Sequence, residues 1–157
     1  MFSVLQSLGA VEGATVVDLF AGSGALGVEA LSRGAKRVVF VDRSAVALRC
    51  IRRNVEVIPE RAADAVVIGQ DALAFAREAG PYDLWLVDPP YAWDGWEELL
   101  GLLEARAGIL VAEAPGPLKA GPGWETVRMK RYGVSVLTVA KPIVRHSKGE
   151  PAPGEMA

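Results

Sequence analysis

Two short stretches of this 157-residue chain combine residue types and spacings that can do chemistry. The first, VVDLFAGSGALGVEALSRG from Val16 to Gly34, sets Gly22, Gly24 and Gly27 in a G-x-G-x-x-G pattern. Such glycines let a chain turn tightly from strand into helix and let the backbone approach a cofactor closely. Asp42 follows at the end of the next apolar run, about twenty residues on, where a carboxylate can accept hydrogen bonds from the two ribose hydroxyls of an adenosine. NAD and S-adenosylmethionine would both fit these features. Asp18 separates them. A carboxylate just before the loop is a poor neighbour for a pyrophosphate at a helix N-terminus, but a good one for a cofactor with an ammonium and a sulfonium and no phosphate.

The second stretch, LVDPPYAW from Leu86 to Trp93, ends a strand-like run on Asp88. A residue before proline is held extended, so Pro89 fixes Asp88 and Pro90 fixes Pro89, and neither proline has an N–H to donate. The turn therefore offers acceptors, the Asp88 carboxylate and backbone carbonyls, beside the flat face of Tyr91. Acceptors next to a stacking ring suit a planar base with an exocyclic amine: they orient the nitrogen lone pair and can take up its proton. Tyr91 would stack on a base taken out of its helix or presented in a loop. A third acid, Asp71 in GQDALAF, follows another strand-like run and can accept from an adenine amine while Ala72 offers a backbone N–H; it is equally a helix N-cap. Trp93 and Trp96 either line the base site or anchor the next helix, and packing is the expectation for such large side chains.

The elements that must position these residues alternate. Apolar runs of strand length at Thr15–Phe20, Arg37–Asp42, Ala65–Ile68, Leu84–Val87 and Gly108–Glu113 are separated by segments of helical period at Ala25–Arg33, Ser44 to about Ile58, Asp71–Ala79 and Gly95–Arg106. This is the signature of a doubly wound, mostly parallel sheet. A loop rich in proline and glycine follows from Pro115 to Gly123. Trp124–Arg131 and Val134–Ala140 around Tyr132-Gly133 then read as an antiparallel hairpin at the sheet edge. Residues 1–146 are expected to form one domain, and 147–157 a disordered tail.

Composition narrows the classes further. Half the residues, 51%, are hydrophobic, enough for one sizeable core. No apolar run has bilayer-spanning length and no signal core follows Met1, so a cytoplasmic protein with no membrane partner is expected. Single residues of cysteine (Cys50) and histidine (His146) make no metal site, so no metal is expected. The formal net charge is −2, without the overall basic excess typical of nucleic-acid binders. Its distribution is uneven. Thr126 to Gly149 contains no Asp or Glu but holds Arg128, Lys130, Arg131, Lys141, Arg145 and Lys148, as either a solvated hairpin and tail or a phosphate-facing edge.

DLFAGSGALGVEALSRGA, VDRS, GQDAL and DPPY, in this order and spacing, resemble the RsmD-type bacterial methyltransferases of guanine N2 in small-subunit (16S) ribosomal RNA, from Met1 to about Lys141. The resemblance implies a Rossmann-like methyltransferase fold with seven strands and a final antiparallel hairpin. It also implies S-adenosylmethionine as cofactor, S-adenosylhomocysteine as product, and ribosomal RNA, free or in a small subunit, as partner. It assigns Asp18 and the loop of Phe20, Ala21, Gly22 and Gly24 to the amino acid part of the cofactor. Asp42 with Arg43 falls to ribose, Asp71 and Ala72 to adenine, and Asp88, Pro89, Pro90 and Tyr91 to the target base, with Asp88 also beside the cofactor. Glu113 resembles a family acid of unclear role and stays outside this set. Family members carry a basic segment before the point where this chain begins, so the expectation is that Met1 is an internal start. A monomer is favoured. Two other classes stay open: a methyltransferase of DNA adenine or protein glutamine, and a non-enzymatic relative that binds cofactor or RNA. DPPY is common to several amino-methyltransferases, whereas the glycine stretch is more specific.

Overall fold

The computed structural model describes residues 1–144; Arg145, His146, Lys148 and the expected tail lie outside the described residues. Seven strands form one sheet in the order β3-β2-β1-β4-β5-β7-β6. They are β1 (Thr15–Leu19), β2 (Arg37–Asp42), β3 (Ala65–Gly69), β4 (Tyr82–Val87), β5 (Ala107–Ala114), β6 (Trp124–Tyr132) and β7 (Ser135–Pro142). The first five pair in parallel; β7 joins β5 antiparallel and β6 closes the edge against β7. The doubly wound sheet with a terminal hairpin read from the sequence is therefore the observed fold.

Strict side-chain alternation along buried parallel strands gives the sheet two apolar faces. Val16, Phe40 and Leu86 pack on one face with α1 (Phe2–Ser7), α2 (Ala25–Ser32) and α3 (Ala45–Val55). Val17, Val41 and Trp85 pack on the other with α4 (Ala72–Glu78) and α5 (Trp96–Leu103). The helix after β1 approaches its sheet so closely that a Cβ on Gly27 would fall 2.3 Å from the Phe40 ring. Only glycine fits there without repacking.

Among the differences from the sequence reading, three have a visible cause. The N-terminal α1 has no helical caps in its sequence, and burial of Leu5 in the core supplies its order instead. α3 stops at Val55, short of Ile58, and Pro59–Asp64 forms a 3-10 turn. Arg61 explains the turn: its guanidinium donates to the carbonyls of Leu31, at 2.6 Å, and of Ala35, tying the segment to the end of α2. β4 begins two residues earlier, at Tyr82, because β5 pairs there: Tyr82 lies opposite Ala107 and its N–H donates to the Arg106 carbonyl at 2.9 Å, while Asp83 Oδ2 accepts from the Thr15 N–H (2.8 Å) and hydroxyl (3.0 Å).

Candidate cofactor and substrate site

Four parallel strands deliver their carboxyl ends to one edge of the sheet, where open α/β folds bind ligands. There the loop after β1, Asp42 after β2, Asp71 after β3 and Asp88 after β4 surround a cavity of about 380 Å³. Its lining includes Phe20, Gly22, Asp42, Arg43, Asp71, Ala72, Asp88, Pro89 and Pro90 from the sequence-based set. Val41, Gln70 and Trp93 also line it and were not assigned there from sequence.

The glycine loop is held by bonds that start in the sequence pattern and end far along the chain. Gly22 and Gly24 adopt left-handed φ values of 57° and 80°, which a Cβ would oppose. The Gly22 N–H donates to Asp42 Oδ2 at 2.9 Å, and Oδ1 of the same carboxylate accepts from the Ser44 N–H at 2.9 Å. Asp42 thus fastens the loop while its remaining lone pairs stay available toward the cavity. Ala21 N–H donates to the Val41 carbonyl at 3.0 Å, and Asn54 holds the Ser23 carbonyl from α3. Phe20 alone among the non-glycine residues described has a positive φ, 59°. Such a conformation is costly for a bulky side chain and is found where a site over-determines it. Its ring meets Trp93 edge to face, with centroids 4.9 Å apart.

Asp18 sits beneath this loop. It is 2% exposed and does not line the cavity; its Oδ2 accepts from the Gly27 N–H at 2.9 Å. Burial pushes its carboxyl up to about 7, against the lowering effect of the Gly27 bond, and the charges of Asp88 and Asp42 push the same way as burial. Ala21 and Gly24 are likewise buried behind the lining. Asp71 Oδ1 accepts from the Ala74 N–H at 3.0 Å, so it is the N-cap of α4. That bond leaves its second oxygen unengaged among the described residues.

The proline turn is built differently. Asp88 opens onto the cleft, and partial burial followed by the charge of Glu113 raises its carboxyl above the ordinary range. The Pro90 carbonyl accepts from the Trp93 N–H at 2.9 Å, which closes the turn. Among the described residues the Pro89 carbonyl has no donor, so of the two proline carbonyls it is the one left to a ligand. Tyr91 is 70% exposed and faces a second, wider cavity of about 760 Å³ between α5 and the 114–122 loop. Trp93 is common to both cavities and meets Trp96 edge to face at 5.3 Å. Trp93 therefore lines the site as well as packing, while Trp96 lines only the wider cavity. The sequence signal for Trp93 is its place three residues after Pro90, where a turn brings the chain back. Glu113 lies within electrostatic reach of Asp88.

The donor set fits an adenosine-type cofactor. Asp42 and Asp71 retain acceptor capacity, the side of Gly22 where a Cβ would stand is open space, and Ala72 is the first residue of α4, whose N–H has no intrahelical acceptor. A group of three or more His, Cys, Asp or Glu placed to hold a metal is absent among the described residues, and no described helix is long and apolar enough to cross a membrane.

Comparison with known proteins identifies the family. The family model described as Conserved hypothetical protein 95 matches residues 1–141. The Bacillus subtilis protein YlbH is 38% identical over 146 residues, covering 83% of this chain and 77% of YlbH. Ribosomal RNA small subunit methyltransferase D of Haemophilus influenzae is 31% identical over 128 residues, covering 75% of this chain and 66% of that one. The solved structure of the Escherichia coli methyltransferase homologue yhhF superposes with a TM-score of 0.80 at 26% identity, over 92% of this chain and 84% of that one. The chain belongs to the Conserved hypothetical protein 95 family and is homologous to bacterial S-adenosylmethionine-dependent RNA methyltransferases.

Proposed function

We propose that this protein transfers the methyl group of S-adenosylmethionine to the exocyclic N2 amine of a guanine in small-subunit (16S) ribosomal RNA. The observation that carries the reading is the turn from Asp88 to Tyr91. Asp88, Pro89 and Pro90 line the cofactor-sized cavity, while Tyr91 is exposed toward the adjoining one. A base stacked on Tyr91 would then present its amine at the boundary between them. The names of the Haemophilus influenzae and Escherichia coli relatives support the RNA class. The match spans half of the Escherichia coli relative's length.

When bound, the cofactor supplies an electrophilic methyl on a sulfonium. The chain's own residues do the rest. Asp42 holds ribose with its spare lone pairs and keeps the Gly22 amide in place; Arg43 flanks the same corner. Asp71 and the Ala72 N–H receive the adenine edge. Phe20 and Gly22 form the wall toward the amino acid part, backed by Ala21 and Gly24, with Asp18 beneath them holding the Gly27 amide in place. The Asp88 carboxylate and the Pro89 carbonyl accept from the amine N–H groups, which turns the nitrogen lone pair toward the methyl carbon. Asp88 is also the proton acceptor as positive charge develops on nitrogen, and its raised basicity suits that role. Pro90 contributes rigidity, and Trp93 closes the cleft.

The test is transfer of labelled methyl from S-adenosylmethionine to undermethylated small subunits, naked 16S RNA, DNA and glutamine peptide in parallel. Incorporation into guanine of the RNA or subunits, lost in Asp88→Asn, is expected. Incorporation into adenine of DNA or into the peptide would replace the substrate class. Cofactor binding without transfer to any acceptor would favour a non-enzymatic role.

A further inference from the structure

The hairpin of β6 and β7 carries a feature the site does not use. From Thr126 to Val144 the chain has four cations and no Asp or Glu, although the protein as a whole is net acidic at −2. Lys141 pairs with Glu125 at 3.6 Å. Arg128, Lys130 and Arg131 are exposed and, among the described residues, make no ion pair. Lys130 Nζ lies 5.0 Å from the centre of the Tyr132 ring, itself 45% exposed.

Strand register decides where these groups sit. β5 ends at Ala114, which pairs with Val136 near the start of β7, and β7 begins beside the end of β6, with Ser135 opposite Tyr132. β5 runs parallel to β4, where Val87 pairs with Ala112. The Tyr132 end of the hairpin therefore stands at the same edge of the sheet as Asp88, three inter-strand spacings away, or about 14 Å. The one paired cation lies at the opposite end.

Another basic group, Arg52 and Arg53, has a local explanation: it occupies the last turn of α3, where cations complement the helix dipole. Arg128, Lys130 and Arg131 have no such partner among the described residues. On an exposed edge strand, lysine also deters strand-to-strand pairing. That accounts for scattered charge, but not for Lys130, Arg131 and an aromatic ring grouped at the end facing the site, with Arg128 next below them at mid-strand opposite Val139.

We propose that Arg128, Lys130 and Arg131, with Tyr132 as a stacking face, form the phosphate-binding edge that holds the RNA strand flanking the target base. This rests on the RNA reading of the site above and names where the rest of that substrate lies. Phosphates would meet the three cations, and an unpaired base near the target would stack on Tyr132.

The experiment measures binding of in vitro transcribed 16S RNA and of a single-stranded oligouridine by fluorescence anisotropy across a salt series. It compares wild type, Arg128→Gln/Lys130→Gln/Arg131→Gln, and Arg52→Gln/Arg53→Gln, each checked for S-adenosylhomocysteine binding as proof of folding. The hairpin variant is expected to bind about tenfold or more weakly at moderate salt. Its log–log salt slope should fall by about 2, since each phosphate contact contributes about 0.7 for single strands. In methyl transfer its KM for RNA should rise with kcat preserved, while the α3 variant matches wild type. Unchanged affinity and slope, or an equal loss in the α3 variant, overturns the proposal even if RNA is methylated. A salt-sensitive, hairpin-dependent RNA complex that accepts no methyl leaves the edge standing and removes the catalytic reading. Loss of subunit binding in Met129→Ser/Val134→Ser but not in the charge variant makes this edge a protein-docking surface instead.

Discussion

The loop after β1 and the turn after β4 meet across one cavity, yet they handle their hydrogen-bonding groups in opposite ways. In the glycine loop the anchoring groups are already spent on the protein: the Gly22 N–H on Asp42, the Gly27 N–H on Asp18, the Ala21 N–H on Val41 and the Ser23 carbonyl on Asn54. In the proline turn, Asp88 and the Pro89 carbonyl are left without protein donors among the described residues, and the two prolines remove the following N–H groups that could have met the Asp88 carboxylate locally. One side is preorganised by satisfaction and the other by deprivation. A cofactor that returns every cycle needs a fixed cradle, whereas a reacting amine needs acceptors free at the moment of transfer.

The comparison breaks most visibly at Asp88. Asp88→Asn keeps the shape but removes the proton acceptor, so single-turnover methyl transfer should fall about 10²- to 10⁴-fold. Titration with S-adenosylhomocysteine should change far less. Wild-type transfer should also rise with pH through a carboxylate range higher than usual, because burial and Glu113 both raise Asp88 and its ionised form is the acceptor.

Asp18 tests the buried side by pH. Its folded value of about 7 exceeds its unfolded value of 3.8, so between those values the native state holds a proton that the unfolded chain has lost. Stability from this group is full below the unfolded value, declines as pH rises toward 7, and stays lost above it. Asp18→Asn removes that dependence. Across that window, the stability of wild type minus that of the variant should fall by at most about 4 kcal/mol. Denaturant melts at pH 4, 5.5 and 8 measure it, and a constant difference would mean that Asp18 is ionised throughout.

A smaller loss comes from packing alone. Gly27→Ala drives a methyl into the Phe40 ring and should cost about 1–3 kcal/mol of stability, seen as a lower melting temperature. The smallest effect belongs to the exposed side: Tyr91→Ala should raise the KM for RNA about tenfold through lost stacking, and Tyr91→Phe should restore it. If Tyr91→Phe fails like Tyr91→Ala, the hydroxyl and not the ring is what the substrate meets.

Several residues were legible in sequence because their reason is local. Proline restricts its predecessor, so an extended Asp88 is the expectation from DPP alone. Ser44 and Asp71 precede helical periods and cap them, with Ala47 N–H to Ser44 Oγ at 3.3 Å and Ala74 N–H to Asp71. Trp93 was ambiguous because a tryptophan reads as packing until its neighbours are known, and only the Pro90–Trp93 turn brings it over Phe20. The influence of Glu113 on Asp88 crosses from β5 to β4, a separation no local pattern encodes.

The sequence by itself determined the alternation of strands and helices, the tight turn at Gly22 and Gly24, and the donor-free turn at Pro89 and Pro90. Each follows from backbone sterics within a few residues. Tertiary structure alone decided that Asp18 lies beneath the loop, that Asp42 holds Gly22, and that the Tyr132 end of the hairpin shares an edge with Asp88. Burial, carboxylate partners and strand register join residues distant along the chain, and they exist only once the sheet has assembled.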